Sequence, residues 1–171
     1  MMRRLVFTAI LLAIFGLWYF ADRLTPAETV KAPAAVIRDG DTLVLGERIF
    51  RLYGVDAPEY RQTCSDANGA EWPCGKAARL QLAALAASGS ISCEVRARDK
   101  YMREVARCSS ATVPDFAEAL VQAGLAISPA ERGTAPYADA EEAARTAKRG
   151  IWQGHFEIPS EWRAEKERGS A

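Results

Sequence analysis

Residues 34–55 read AAVIRDGDTLVLGERIFRLYGV, a stretch that predicts three consecutive short β-strands joined by tight turns. Its last segment alternates with the period of a strand, so that Phe50 and Leu52 lie on one face and Arg51 and Tyr53 on the other. The turn residues between the segments are Asp, Gly and Glu, as is typical of sharp chain reversals. The predicted strands are 34–38, 42–45 and 48–55, with turns at 39–41 and 46–47.

The rest of the chain adds helices and two further strands. Residues 75–87 carry apolar side chains at helical spacing, and strands follow at 90–98 and 103–109. Two more helices are predicted at 114–123 and 136–149, each ended by a glycine. Five short strands with an inserted helix suit a small Greek-key barrel. The sequence therefore predicts an α+β fold, a five-stranded OB-fold β-barrel with three helices.

Length and charge restrict the functional classes. The chain has 171 residues, which suits one domain, and its 22 basic and 22 acidic residues give no sign of an electrostatic clamp of the histone type. Without residues 1–35 the balance is 18 basic to 20 acidic, so non-specific affinity for nucleic acid should be modest. His155 is the single histidine, which nearly excludes a histidine-rich zinc site, and we assign it no role.

The N-terminal segment is too apolar for a globular surface. Residues 5–21 contain no charge and would be about 25 Å long as a helix. The run ends in Trp-Tyr-Phe-Ala rather than in the small residues of a cleavage site, which favours an uncleaved signal anchor over a cleaved signal peptide. The chain would then be exported to the periplasmic or extracellular face and anchored to the membrane. The predicted organisation is signal anchor or signal peptide 1–21, linker 22–35, globular domain 36–162 and charged tail 163–171.

The four cysteines agree with export to an oxidising compartment. They include no CxxC pair, which argues against a structural zinc site. If the hairpin that carries two of them centres between residues 100 and 101, Cys93 faces Cys108. The other disulfide would then be Cys64–Cys74. Four free, half-buried thiols are the alternative.

Three polar patches lie where predicted strands end: DGDT at 39–42, RLYGVDAPE at 51–59 and DKYMR at 99–103. Each patch alone is a common turn or strand end. Their charged residues include three acids, Asp41, Asp56 and Glu59, and two arginines, Arg51 and Arg103, which one side of a barrel can gather. This combination suits hydrolysis of a phosphodiester.

Each of these residue types suits a different part in the hydrolysis of a phosphodiester. Asp41 and Asp56 offer hard oxygen ligands for Ca²⁺ or Mg²⁺, an ion that neutralises phosphate charge and positions a water. Glu59 follows Asp56 on the same loop and can act as the base or orienting group for that water. Arg51 and Arg103 offer fork-shaped donors to the phosphate oxygens and to the added charge of the transition state.

The three patches, in this order and spacing, resemble the staphylococcal (micrococcal) nuclease family, the thermonucleases. The resemblance extends from about Val36 to Trp162 and includes CGKA at 74–77, LVQAGLA at 120–126 and GIW at 150–152. It implies an OB-fold barrel with three helices. It also implies a nuclease that depends on one Ca²⁺ ion, with other divalent cations as alternatives, and that cuts DNA and RNA to leave 3′-phosphates. We further expect a monomer without an organic cofactor, acting preferentially on single-stranded or unpaired nucleic acid.

The resemblance implies the same roles for the acids and arginines described above, and it adds three assignments of its own. The main-chain carbonyl of Ala57 would be a third calcium ligand. Asp39 would brace its turn, and Lys100 and Tyr101 would lie along the nucleotide.

Two departures from the family pattern affect these assignments. Met102 stands where the family usually has glycine, in the turn before Arg103, and a positive φ there would strain it. Residues 127–130 lack the tyrosines that flank the base in the staphylococcal protein, so base stacking should be weaker. Ala57 replaces a threonine, which a main-chain ligand tolerates.

Two other functions remain open on the sequence. One is a non-catalytic module, anchored at the cell envelope, that binds nucleic acid or protein through the same barrel. The other is a structural envelope protein whose barrel docks a protein partner. Chelation by EDTA would separate the three: it should abolish hydrolysis, leave metal-free binding, or change nothing.

Overall fold

The structure is a computed structural model that describes residues 10, 12, 15, 16, 27–130 and 133–169. Most of the predicted signal anchor, residues 5–21, lies outside this part of the chain. Within the described residues, no helix has both the length and the apolar character needed to cross a membrane.

The described chain forms eight strands, four α-helices and one 3₁₀-helix. The strands are β1 (Thr29–Ala32), β2 (Val36–Ile37), β3 (Thr42–Leu45), β4 (Arg48–Leu52), β5 (Cys64–Ser65), β6 (Glu71–Trp72), β7 (Ile91–Arg98) and β8 (Glu104–Ser109). The helices are α1 (Cys74–Ala86), α2 (Phe116–Gln122), α3 (Ala138–Thr146), the 3₁₀-helix (Gly150–Gln153) and α4 (Pro159–Gly169).

Six strands make one curled sheet in the order β1-β7-β8-β4-β3-β2, and β5 pairs with β6 in a small separate sheet. β4 and β8 run parallel, whereas the other neighbours in the main sheet are antiparallel. The predicted α+β class is confirmed. The predicted five-stranded barrel with three helices is corrected to an open half-barrel of six strands with four α-helices, because β1 and β2 are edges that do not pair with each other.

The core lies between the curled sheet and the helices α1 and α2. Phe50 and Leu52 of β4 are buried on one face of the strand, as the alternation predicted. Leu82 of α1 and Phe116 and Leu120 of α2 pack in the same cluster. Burial of these large side chains supplies the main driving force for closing the helices onto the sheet.

The first strand occupies part of the segment that was expected to be a linker. Residues 29–32 pair with β7 in antiparallel register, and Val30 and Ala32 pack against the core. The prediction of a linker at 22–35 is therefore wrong for these residues. The physical reason is that the long strand β7 would otherwise expose an edge of unpaired main-chain groups, which β1 covers.

The two disulfides pair as predicted, Cys64–Cys74 and Cys93–Cys108, and the described chain contains no free cysteine. Cys64 and Cys74 belong to a second, smaller hydrophobic cluster with Ile151 of the 3₁₀-helix. The bridge closes the loop between residues 64 and 74, and packing of the bridge against Ile151 holds this loop against the C-terminal part of the chain.

Cys93 lies opposite Cys108 as predicted, but the hairpin reaches this register in a different way from the one expected. Near the hairpin tip Arg98 lies opposite Glu104, so the hairpin centres on residue 101. A β-bulge between Val95 and Ala97 then shifts the pairing by one residue. The two cysteines face each other because of this bulge.

The C-terminal segment, expected as a charged tail, is helical through residue 169. Pro159 is its first residue, Glu161 lies in the first turn, and Lys166 and Arg168 lie in the last turn, an order that the helix dipole favours. The prediction of a tail at 163–171 is thus wrong for residues 163–169. The buried side chain of Pro159 and the ion pairs of Arg163, described below, attach this polar helix to the domain.

Candidate active site

Two neighbouring strands place the predicted acids side by side. Asp41 directly precedes β3 and Asp56 follows β4, and the strand register sets Thr42 opposite Arg51. The main-chain N–H of Leu52 donates to the carbonyl of Asp41 at 2.8 Å, which extends the pairing by one residue. Both carboxylates are buried, with 3% of Asp41 and 5% of Asp56 exposed.

A segment between α2 and α3 fixes the main chain at Asp56. The N–H groups of Asp56 and Ile127 each donate to the other residue's carbonyl at 3.0 Å. The next residue, Ser128, donates its hydroxyl to the carbonyl of Gly54 at 3.1 Å and its N–H to the Glu141 carboxylate at 2.5 Å. This segment, notable in the sequence for its lack of tyrosines, is a brace for the loop that carries Asp56.

The turn before Asp41 lies against α1 and requires a glycine. A Cβ atom on Gly40 would lie 2.7 Å from the Cβ atoms of both Ala57 and Ala78, which is too close for real atoms. The Asp39 carboxylate accepts the N–H of Gly40 at 2.9 Å, and the Asp41 carboxylate accepts the N–H of Ala57 at 3.4 Å. The close approach of turn, loop and helix holds Asp41 in place.

Arg51 connects the two buried acids. Its Nη1 donates to Asp41 Oδ1 at 3.0 Å, and its Nη2 lies 2.7 Å from Asp56 Oδ1 and 2.8 Å from Asp41 Oδ2. The Thr42 hydroxyl also donates to Asp41 Oδ1, at 2.8 Å. Burial raises the pKa of Asp41, an effect that the Arg51 charge and the Thr42 hydrogen bond oppose.

A second arginine reaches these acids from the C-terminal helix. Nη1 of Arg163 donates to Asp56 Oδ1 at 2.9 Å and to Glu59 Oε1 at 2.7 Å, while Nη2 donates to Asp56 Oδ2 at 3.2 Å. Sequence reasoning missed this residue, which is 107 positions from Asp56 and was assigned to the tail. Its neighbour Trp162, the last residue of the resemblance, was the one local signal that the domain continues there.

Asp39 and Glu59 share a hydrogen bond beside the arginines. Burial, together with the hydrogen bond and negative charge of Glu59, raises the pKa of Asp39 to about 7. Burial would also raise the pKa of Glu59, but the hydrogen bonds from Asp39 and Arg163 outweigh it, and the pKa of Glu59 is lowered. At neutral pH a partly protonated Asp39 therefore donates to an ionised Glu59. We call Asp39, Asp41, Asp56 and Glu59 the acidic cluster.

The buried side chain of Gln62 ties the Glu59 loop to the segment that leads into α4. Its Oε1 accepts the N–H of Glu59 at 3.1 Å, and its Nε2 donates to the carbonyl of Glu157 at 2.6 Å. A second tie runs from the N–H of Ser65 to the carbonyl of His155, at 2.7 Å. These contacts set the position from which α4 begins.

The hairpin tip between β7 and β8 carries the remaining predicted residues. Among the described residues Arg103 forms its ion pair with Asp99, at 2.7 Å from Nε to Oδ2, rather than with the acidic cluster. Met102 has φ of 63°, the left-handed conformation in which a side chain is strained. The exposed ring of Tyr101 lies 4.9 Å from Lys100 Nζ and 5.3 Å from Arg103 Cζ. The tip therefore presents an aromatic ring and two cations to solvent.

The acidic cluster fits Ca²⁺ in the chemistry of its donors. Four carboxylates face two arginines, and the raised pKa of Asp39 reflects the surplus of acidic groups as well as burial. In the described arrangement, however, Arg51 and Arg163 engage the carboxylate oxygens. Within the described part of the chain, no three acidic, histidine or cysteine side chains converge as a set of metal ligands.

Comparison with known proteins shows the family to which the chain belongs. The family model described as staphylococcal nuclease homologue matches residues 49–154. The chain is 39% identical over 133 residues to the succinoglycan biosynthesis protein ExoI of Rhizobium meliloti (strain 1021), covering 77% of this chain and 69% of that protein. The match to the family model includes Arg51, Asp56 and Glu59, whereas Asp41 precedes it and Arg163 follows it.

Proposed function

Because the chain belongs to the family of staphylococcal nuclease homologues, we propose that it is a Ca²⁺-dependent nuclease that hydrolyses phosphodiester bonds of DNA or RNA. The observation that carries this proposal is the position of Arg51, whose fork joins the buried Asp41 and Asp56 where two strands end. A guanidinium held in this way is oriented before the substrate arrives. It can therefore stabilise charge that develops on a phosphate with little rearrangement.

Glu59 is the residue that acts on the attacking water. Its carboxylate is ionised at neutral pH. It lies near the Arg51 fork, because Arg163 contacts both Glu59 and Asp56, and Asp56 contacts Arg51. An ionised carboxylate at that place can accept the proton that the water loses. Asp41, Asp56 and the main-chain carbonyl of Ala57 would hold Ca²⁺, which would supply positive charge that offsets repulsion between the acids and the phosphate.

The hairpin tip supplies the second phosphate contact and the contact with the nucleotide. Arg103 exchanges Asp99 for a phosphate oxygen, since both are anionic partners of the same fork. Lys100 and the exposed ring of Tyr101 lie along the nucleotide. An exposed aromatic ring stacks on unpaired bases more readily than on paired ones, so the substrate is single-stranded or unpaired.

The proposal includes the setting of the enzyme. The two disulfides are typical of an oxidising compartment and support an exported protein at the periplasmic or extracellular face. The apolar residues 5–21 would attach it to the membrane. We propose a monomer without an organic cofactor.

The test uses the full chain, single-stranded DNA and RNA, and either Ca²⁺ or EDTA. We expect cleavage to 3′-phosphate ends with Ca²⁺ and none with EDTA. Glu59→Gln should lower the rate by about 100-fold or more, because the amide cannot accept a proton. Glu47→Gln, at an exposed turn residue, is the matched control and should cleave like the wild type. Failure of the folded protein to cleave with any divalent cation would contradict the proposal.

A second candidate is a non-catalytic module at the cell envelope. It is favoured by the 39% identity to a protein that is named for succinoglycan biosynthesis, and by the pairing of Asp41, Asp56 and Glu59 with arginine. The same assay separates the two candidates. A folded chain that binds single-stranded nucleic acid or a protein partner in EDTA, without cleavage in Ca²⁺, would support this module.

A further inference from the structure

The contact of α4 with the acidic cluster lies outside the region that the family model matches. The matched region ends at residue 154, and α4 begins five residues later. From this helix Arg163 makes three hydrogen bonds to two carboxylates, at 2.7, 2.9 and 3.2 Å. Its acceptors include both oxygens of Asp56. These atoms are the ones that the proposed function gives to the metal ion and to the activation of water.

The contact is more than a surface ion pair. The Asp56 side chain is 7% exposed and that of Glu59 is 22% exposed, so Arg163 neutralises carboxylates that water reaches poorly. Exposed ion pairs contribute little to stability, but an ionised carboxylate in such surroundings requires a partner. The guanidinium of Arg163 meets this need for Glu59, and for Asp56 it is a second partner beside Arg51.

The approach of α4 is built into the fold before the helix starts. A Cβ atom on Gly154 would lie 2.3 Å from the carbonyl oxygens of both Ser65 and Asp66, so the two main chains touch there. Trp152 and Phe156 pack edge to face beside them, with ring centroids 5.0 Å apart. The hydrogen bonds of the Gln62 side chain and the Ser65 main chain to this segment complete the attachment. The segment before α4 is thus fixed to the domain, and its position brings Arg163 to the acidic cluster.

From this geometry we infer that Arg163 is an internal cation that competes with the divalent metal ion for Asp56 while it also holds Glu59, and that metal binding displaces it. This inference rests on the proposed function, which makes Asp56 a metal ligand. A guanidinium only donates hydrogen bonds, so Arg163 covers both oxygens of Asp56, and its charge adds to that of Arg51 in opposing a further cation there. The arginine therefore raises the Ca²⁺ concentration that the site requires, and the start of α4 loosens when the ion binds.

The first experiment measures Ca²⁺ binding directly, by calorimetry on the full chain. Arg163→Gln keeps a polar side chain of similar size without the charge, and Arg168→Gln is the control from the exposed side of the same helix. We expect Ca²⁺ to bind about tenfold more tightly to the first variant than to the wild type, and equally to the control.

A second measurement needs no variant and guards against misfolding. Amide hydrogen exchange in residues 157–169 of the wild type should quicken when Ca²⁺ saturates the site, because α4 loses the Arg163 contacts. The inference is overturned by equal or weaker Ca²⁺ binding to Arg163→Gln, by absence of Ca²⁺ binding in both proteins, or by α4 exchange that slows or stays constant with Ca²⁺.

Cleavage of single-stranded DNA, measured on the same samples, separates this inference from the proposed function. Tighter Ca²⁺ binding by Arg163→Gln with no cleavage in either protein would overturn the nuclease and leave the competition intact. Cleavage by both proteins with unchanged Ca²⁺ affinity would do the reverse.

Discussion

Arg51 and Arg163 hold the same oxygen of Asp56, at 2.7 and 2.9 Å, yet they reach it by different routes. Arg51 projects from a strand of the curled sheet, five residues before its acid. Arg163 lies on the last helix, 107 residues beyond the acid, and reaches it through docking of the 154–158 segment. Arg51 therefore belongs to the half-barrel, whereas Arg163 is brought to the acid by the packing of α4.

The difference in burial follows the difference in route. The side chain of Arg51 is 17% exposed and that of Arg163 is 34% exposed. Asp56 retains Arg51 when Arg163 leaves, and Glu59 retains its hydrogen bond with Asp39. Asp41 has no second arginine among the described residues. We therefore expect Arg51 to be required for the fold of the site and Arg163 to be separable from it.

The largest effect is expected from Arg51→Ala. Loss of the fork leaves Asp41 buried and unpaired, which should lower the free energy of unfolding by about 3 kcal/mol. It should also slow cleavage by about 100- to 1,000-fold. Arg163→Ala should cost only about 1 kcal/mol, because Asp56 keeps Arg51 and Glu59 keeps its hydrogen bond with Asp39. Urea unfolding and a cleavage assay on both variants measure the difference, and equal losses would remove the distinction between the two arginines.

Removal of the Cys64–Cys74 bridge should loosen the packing of α4 while the half-barrel stays folded. Replacing both cysteines with serine should destabilise the chain by about 2–3 kcal/mol, since the bridge closes a short loop. Amide exchange in α4 should also become faster, because this loop carries the contacts to residues 154–157. The matched control is the serine pair at Cys93 and Cys108, which should be destabilising without an effect confined to α4. Unchanged α4 exchange in the first pair would show that the bridge does not support the docking of Arg163.

The next effect in size is expected from protonation of Asp39 in the acidic cluster. Its folded pKa of about 7 lies above the ordinary value of 3.8. Its contribution to stability is therefore complete below about pH 4 and is lost as the pH rises through 7. Asp39→Asn should remove this decline, so the variant should gain stability relative to the wild type between pH 5 and about 8. Urea unfolding in EDTA at both pH values measures the change, with the exposed Asp139→Asn as control. A parallel decline in the Asp39→Asn variant would contradict the assignment.

Met102→Gly should have the smallest effect on stability. It tests the turn before a third arginine, Arg103, which lies at the hairpin tip. Relief of the left-handed strain is partly offset by the greater freedom of glycine in the unfolded chain. The gain in the free energy of unfolding should therefore be below about 1 kcal/mol. Lys148→Gly, at φ of 52° after α3, is the comparison and should behave similarly in urea unfolding. A clear loss of stability at Met102 alone would show that its side chain makes a contact of its own.

Much of the fold could be predicted because its signals are local. Alternation in 48–52, the turns around Gly40 and Gly46 and the helical spacing of 74–86 all follow from neighbouring residues. The strand β1 could not be predicted in the same way, because four residues of mixed polarity become a strand only when β7 offers them an edge. The disulfide Cys93–Cys108 was predicted from a hairpin centre that is wrong by half a residue, and the bulge restored the pairing.

The sequence by itself determined the family and the gathering of Asp41, Arg51 and Asp56 at one side of the sheet, because motifs at the ends of neighbouring strands carry them. It also predicted the disulfide partners, whereas the bulge that sets Cys93 opposite Cys108 belongs to the tertiary structure. Only the tertiary structure decided which cation meets Glu59. That contact depends on the docking of α4, on the hydrogen bonds of Gln62 and on a separation of 104 residues between Arg163 and Glu59. No local pattern encodes it, because a polar helix is stabilised by the acids to which it docks rather than by its own residues.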